Sequence, residues 1–347
     1  MTTARKDQVD ATVSRWYHCI SRCVRRAHLL GEGEQVGARK KWIETRLQML
    51  DAIFAVSVGG YSVMDNHLHV LLRLDPDLAA AWTEEEVLDR WFQLYPPRGT
   101  DRKVLPPEKL KELREERLKD KPWLATARER LGSLSWFMKS LKEPLSRMVN
   151  REERCTGAFF EGRFKSIAIL DEEALLSVAA YIDLNPVAAG IAKTPEESEH
   201  TSVKSRVDSV RAQGRAEALR AAKEGSVAAS KAAKKLESKC WLIPIEDRRR
   251  QGEEREGMLK GFTLGNYLLL VEHTGRLFRR GKASISSEVA EILDRIGSSA
   301  EAWEARMQQL RSGRLLGRFI ASSREKLREA ARKLGISRAA NLSAKLA

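Results

Sequence analysis

Four cysteines in 347 residues, Cys19, Cys23, Cys155 and Cys240, are too few and too irregularly spaced for a disulfide framework. They point to reduced thiols in a cytoplasm. Cys19 and Cys23 lie four apart, but no second Cys/His pair follows at ligand spacing, so they read as buried thiols rather than half of a zinc site. Also missing is an uninterrupted apolar run of the ~18 residues that a membrane-spanning helix needs. The longest apolar stretch, from Ala52 to Met64, is broken by Ser57, Gly59, Gly60 and Ser62 and reads as a buried strand. The first ten residues are polar with mixed charge, unlike a secretory signal. A membrane partner is not expected, and no internal repeat is found.

What the chain has is an uneven charge. The formal net charge is +14. Residues 1–200 carry 31 Lys+Arg and 31 Asp+Glu, while residues 201–347 carry 31 and 17, so the second part holds the whole excess. A neutral body followed by a basic region fits a polyanion partner, most simply nucleic acid.

Histidine is scarce as well, with 6 in the chain, yet two sit one residue apart in the run Val63-Met64-Asp65-Asn66-His67-Leu68-His69-Val70-Leu71-Leu72. Residues two apart on a strand share a face. Leu68, Val70, Leu72 and Leu74 would then enter a core, and His67 and His69 would leave the opposite face together. Two neutral imidazoles plus an oxygen ligand can hold a divalent ion with positions left open.

Around this run the periodicity predicts a strand at 14–24, a helix at 39–54, and strands at 55–63 and 67–74 joined by a turn at Asp65-Asn66. Residues 76–130 are highly charged and broken by Pro96-Pro97, Pro106-Pro107 and Pro122, and read as a helical insertion. A helix at 131–150 and a strand at 163–170 follow, with Arg163 and Lys165 on one strand face, placed to hold phosphates. Asp171 is a good N-cap for the next helix, with Glu172 and Glu173 in its first turn. Its apolar stripe is Leu175, Val178, Ala179 and Ile182; Tyr181 borders that stripe, and Asn185 lies four residues on. Pro186 predicts an end near Asn185. From 201 to about 239 the chain reads as exposed helix. A compact piece with Trp241–Ile245 and Phe262–Phe278 and three more helical stretches complete it.

Four stretches in order carry a resemblance: Tyr17-His18 through Ser21-Arg22, Met64-Asp65-Asn66-His67-Leu68-His69, Gly157 to Ser166, and Tyr181-Ile182-Asp183-Leu184-Asn185-Pro186-Val187-Ala188-Ala189-Gly190. Together they resemble the single-tyrosine HUH transposases, the superfamily of insertion-sequence and REP-associated tyrosine transposases. The resemblance implies an α+β, ferredoxin-like catalytic domain over residues 11–200. It would have an antiparallel sheet, helices on one side, the metal on its open face, the insertion at 76–130, and a basic, mainly helical, DNA-binding region at 201–347. It also implies that His67 and His69 bind Mg²⁺ or Mn²⁺, that Asn185 gives a third ligand, and that Tyr181 is the nucleophile toward single-stranded DNA, with hairpin-forming repeats as the natural target. A homodimer is a further possibility in such proteins. Arg22, Arg25, Arg163 and Lys165 are the candidate DNA contacts, from charge and position. The chain departs from the pattern in the insertion, in Glu161 where an amide is common, and in Ala188 where an arginine is frequent. Two rivals are a non-catalytic DNA hairpin-binding protein on the same fold and a metal-dependent phosphodiesterase that uses water.

Overall fold

The computed structural model describes residues 9–31, 34–223, 236–247, 257–280, 287–294, 297–312 and 319–333. Its centre is a mainly antiparallel sheet of five strands, β1 (Trp16–Arg22), β2 (Val56–Val63), β3 (His67–Leu74), β4 (Lys165–Ile169) and, far along the chain, a short strand at Phe319–Ile320. The spatial order is β2, β3, β1, β4 and the Phe319–Ile320 strand, which runs parallel to β4. The fold is α+β. The β2–β3 turn falls at Asp65-Asn66, as the sequence predicts.

Period-two alternation sorts the strands between two cores. On one face, Tyr17, Cys19, Val58, Leu68, Val70, Leu72 and Leu74 pack with the helices α1 (Glu34–Ile53) and α6 (Leu134–Glu152), through Ile43, Leu47, Leu50, Phe137, Leu141 and Leu145. On the other, Leu71, Ile167 and Ile169 pack with α7 (Glu172–Ala188). The face expected to lie open to a metal is thus roofed by a helix, in addition to the helices on the first face. The strand edge needs a glycine at one place: β2 shifts register between Val58 and Gly60, and a Cβ at Gly59 would stand 2.6 Å from the Trp16 ring.

The insertion is helical, with α2 (Pro76–Ala81), α3 (Glu84–Leu94), α4 (Pro107–Lys119) and α5 (Lys121–Leu131). Thr83 and Glu86 form a capping box at the start of α3.

Helix α7 is longer than the sequence predicts. It continues through Pro186 to Ala188. Proline deletes the N–H that would bond the carbonyl of Ile182. The Asn185 side chain supplies a substitute, its Nδ2 donating to the carbonyls of Tyr181 at 2.9 Å and Ile182 at 3.5 Å. The same repair occurs in α6, where Pro144 frees the Ser140 carbonyl and Arg46 Nε donates to it at 3.1 Å.

Residues after 200 are built into this same body. Helix α8 (Ser202–Ala212) is not the exposed helix that its composition suggests: Val203, Arg206, Val207 and Val210 are buried. Helix α9 spans Ala216–Lys223, and Glu246–Asp247 and Leu259–Lys260 make a two-stranded parallel piece. The helices α10 (Leu264–Arg280) and α12 (Ala300–Arg311) pack on α7, with α11 (Ser287–Asp294) beside α10, and α13 (Arg324–Lys333) closes the described chain. This outer layer explains why α7 is buried almost all round, where its sequence shows a single stripe. Among the described residues, no helix is long and apolar enough to cross a membrane.

Candidate active site

The strand register decides which side chains meet. Arg22 pairs with His67, Ile20 with His69, and His18 with Leu71; on the other side of β1, Ile20 pairs with Lys165 and His18 with Ile167. Paired residues share a face. His67, His69, His18, Arg22 and Lys165 therefore all stand on the side roofed by α7, and Tyr181 comes down onto them from the helix. The His67 and His69 rings lie 4.8 Å apart, and the Tyr181 ring lies 5.6 Å from His69 and 6.2 Å from His18. The expected pairing of the two histidines on one face, with the tyrosine beside them, is what the structure holds.

His18 is a member of the cluster that the spacing argument did not single out. It is fully buried, its Nε2 lies 2.8 Å from His69 Nδ1, and the two rings stack at 5.0 Å. A lone histidine in an apolar strand gives no pattern; the period of β1 places it with Ile20 and Arg22, and that is the signal that could have found it.

Burial sets the protonation of the site. It is the leading cause that drives His18 down to about 3, aided by the charges of Lys165 and His67. Burial, then Arg22, holds His67 at about 4. Burial, His18, His67 and Arg22 push His69 well below the usual histidine value. All three imidazoles are neutral at pH 7. Burial raises Tyr181 above the ordinary phenol, while the Arg22 charge and the Asn185 side chain draw it back down. The Lys165 ammonium is lowered by burial and by Arg22.

Neutrality creates an unsolved hydrogen-bond problem. The two neutral rings of His18 and His69 carry two N–H groups, and their mutual bond uses one. His18 Nδ1 and His69 Nε2 are both buried, and neither has a hydrogen-bond partner among the described residues. If His69 donates through Nδ1, its Nε2 presents a bare lone pair next to Tyr181. A cation bound there would fix that tautomer. His67 Nδ1 is engaged by Asn66 Oδ1 at 2.6 Å. The donor set therefore fits a divalent ion, but incompletely: among the described residues, no group of three or more His, Cys, Asp or Glu is arranged to hold a metal ion. Asn185 stands one turn beyond Tyr181, with Nδ2 turned onto the helix carbonyls, so Oδ1 is the end not spent on the backbone.

The candidate DNA contacts separate. Arg22 and Lys165 are exposed at the rim of the cluster. Arg163 is not on a shared strand face with Lys165: β4 starts at Lys165, and Arg163 lies before it, lining a groove against α6 on the other side of the sheet. Arg25 sits past the end of β1, exposed, in the Val24–Arg26 turn with φ 55°.

No family model matches the chain. No curated protein matches it either. One solved structure, a REP-associated tyrosine transposase bound to a REP hairpin, is similar over 58% of this chain and 82% of its own, with 13% sequence identity and a TM-score of 0.34.

Proposed function

We propose that this protein is a single-tyrosine HUH-type transposase that cuts and rejoins single-stranded DNA, with hairpin-forming repeat ends as its natural target. The observation that carries the reading is the convergence of Tyr181 on two neutral histidines, one of which, His69, keeps a buried Nε2 with no partner among the described residues.

In this reading the Tyr181 oxygen attacks a backbone phosphorus. The O–P bond to tyrosine forms as the P–O3′ bond breaks. The phenolic proton leaves the attacking oxygen, and the departing O3′ ends protonated, so the proton count closes. The products are a 5′-phosphotyrosine and a free 3′-OH. The ester keeps the free energy of the broken bond, so a later 3′-OH can rejoin strands without a nucleotide cofactor; attack by water would dissipate it.

The phenol is a poor nucleophile while protonated. Arg22 favours its ionised form and stands where a phosphate would approach; Lys165, across the face, adds a second cation. The roof made by α7 limits water around the phenol. His67, His69 and the Asn185 oxygen would hold Mg²⁺ or Mn²⁺. Such an ion supplies polarisation of the scissile phosphate and neutralises charge that develops on it.

The test is a single-stranded oligonucleotide that releases its leaving strand irreversibly, incubated with Mn²⁺ and resolved on a denaturing gel. Wild type forms a DNA–protein adduct, Tyr181→Phe forms none, and His67→Ala loses most of it. Cleavage without an adduct would mark a phosphodiesterase that uses water. Binding of hairpin DNA without cleavage would mark a non-catalytic binder.

A further inference from the structure

The face of the sheet opposite the candidate active site carries a second feature. A groove of about 600 Å³ runs between α6 and the segment from Gly157 to Phe164, floored by Met138, Phe159 and Phe160 and edged by Lys139, Lys142 and Arg163. Glu143 is its acidic member, and it faces Lys139 at 4.0 Å and is paired with Arg147. Lys142 Nζ lies 4.7 Å from the centre of the Phe160 ring and donates to the Gly162 carbonyl at 2.8 Å.

Past Lys139 the groove meets an aromatic cluster made by the insertion together with Trp136 at the start of α6. Lys139 Nζ stands 4.4 Å from the Trp136 ring, and the Arg130 guanidinium stands 4.5 Å from Trp136 and 5.7 Å from Trp91. Trp91 touches Trp136 at 5.9 Å, Trp123 at 6.1 Å and Tyr95 at 5.0 Å, and Arg117 lies 5.2 Å from Trp123. The three tryptophans are half-buried and Tyr95 is exposed. At its other end the groove reaches Arg163, two residues before Lys165 on the active face.

We infer that this groove and the adjoining tryptophan cluster bind a stretch of single-stranded nucleic acid that leads away from the active site. Rings alternating with cations match a strand in which bases alternate with phosphates. A cation resting on an aromatic face is held by only ~0.5–1 kcal/mol at an exposed site. A base can take its place on the ring, and the displaced ammonium can move to the adjoining phosphate. Lys139 on Trp136 has this arrangement, whereas Lys142 beside Phe160 is also tied to the Gly162 carbonyl. An apolar peptide would use the groove floor but would bring no anion to the cations along its edge. Contacts of this kind do not depend on sequence, so the groove would hold flanking strand while the active site selects the scissile step. The inference rests on the strand-transfer reading of Tyr181, but its test is separable.

The test uses the full chain with Tyr181→Phe, so that no adduct forms, and an unstructured oligothymidylate as probe. Binding is followed by tryptophan quenching and by anisotropy across a salt series. Removing one phosphate contact on a single strand reduces the slope of log K against log salt by about 0.7. Lys139→Ser and Arg163→Ser are therefore each expected to lower the slope by about 0.7, and the pair by about 1.4. Trp136→Leu is expected to weaken binding roughly 5- to 150-fold, the range for loss of one stacked base. Trp136→Phe, which keeps a ring in place, retains most of the affinity and controls for folding. Unchanged slopes in both cation variants would overturn the inference. So would a Trp136→Leu variant that binds like the parent, since the groove would then be a general anion surface. An oligothymidylate slope that responds to Lys139 while wild type forms no adduct would retain the groove and sink the transposase reading; an adduct with unresponsive slopes would do the reverse.

Discussion

Asp183 is expected to be the residue whose loss most damages the tyrosine helix without touching the chemistry. It lies two positions after Tyr181 and is almost fully buried. Its Oδ1 accepts from Ser202 Oγ at 2.6 Å and Val203 N at 2.9 Å, and its Oδ2 accepts from Tyr267 Oη at 2.5 Å. One carboxylate thus ties α7 to α8 and α10. Hydrogen bonds to a charged group contribute about 1.5–3 kcal/mol each, and an orphaned buried donor costs about 1–3 kcal/mol. Burial works against the ionised form and raises the Asp183 carboxyl, so part of that gain is already offset. In Asp183→Ala the two hydroxyls can rotate, but the Val203 N–H cannot. The net cost is expected at about 3 kcal/mol, near the lower end for removing one partner of a buried charged pair. Asp183→Asn keeps an oxygen toward Ser202 and Val203 and is expected to cost about 1 kcal/mol, the worth of an ordinary hydrogen bond. Urea unfolding followed by circular dichroism reads both as midpoint shifts at constant slope. Adduct formation should fall in the same order, with hydrogen exchange rising first in residues 178–188. An Asp183→Ala protein within about 0.5 kcal/mol of wild type, the size of an ordinary surface substitution, would refute the tether.

Three further outcomes follow from the site. The depressed histidines make stability depend on acid: their contribution is present above the unfolded value of 6.5 and is lost as pH falls through the folded values, about 4 for His67 and about 3 for His18. His67 alone should remove about 2 kcal/mol between pH 7 and 5, read from urea midpoints in EDTA, and a His67→Asn variant should lessen the fall over that window by about that amount while His18 and His69 keep the rest; equal slopes in the two proteins would contradict it. His18→Phe keeps a buried ring but strips His69 Nδ1 of its partner, and should weaken Mn²⁺ binding about 10- to 100-fold by calorimetry, with no comparable loss in a control such as Ile20→Val. Asn185→Leu leaves the Ile182 carbonyl without its side-chain donor, and should cost about 1 kcal/mol and fray the last turn of α7, visible as faster exchange of the Ala188 and Ala189 amides.

The parts of this site that could be read from the sequence are those governed by a short period. A strand repeats every two residues, so His67 and His69 had to share a face, and Leu68, Val70, Leu72 and Leu74 had to fill the other. Asp171 caps α7 as its residue type implies, accepting from Ala174 N at 2.9 Å. The end of α7 was not legible for a physical reason. Proline reads as a stop because it removes an N–H, and nothing in the letters Asn-Pro says that the asparagine amide will fold back and replace it. Arg163 was misplaced on a strand face because the alternation of Arg163 and Lys165 continues across the point where β4 begins.

The larger gap concerns residues after 200. Composition marks them as a basic region, exposed to about residue 239, and charge is a fair guide to the surface only when it is not paired inside. Arg206 is buried against Glu237, and two of its other bonds reach the Gly59 and Ile243 carbonyls at 2.9 and 2.8 Å. Arg306 pairs with Glu173 of α7 at 2.6 Å, and Ser322 N donates to Asp171, the cap of the same helix, at 2.7 Å. Each of these polar residues reads as solvated in the sequence because its partner lies more than thirty positions away. With their partners identified, three separate points along α7 (its cap, its first turn and Asp183) are held by the segment whose charge alone suggested a DNA tail. The position of Tyr181 over the histidines is then a property of the whole chain, and truncation at residue 200 should abolish adduct formation even though every residue proposed for the chemistry remains.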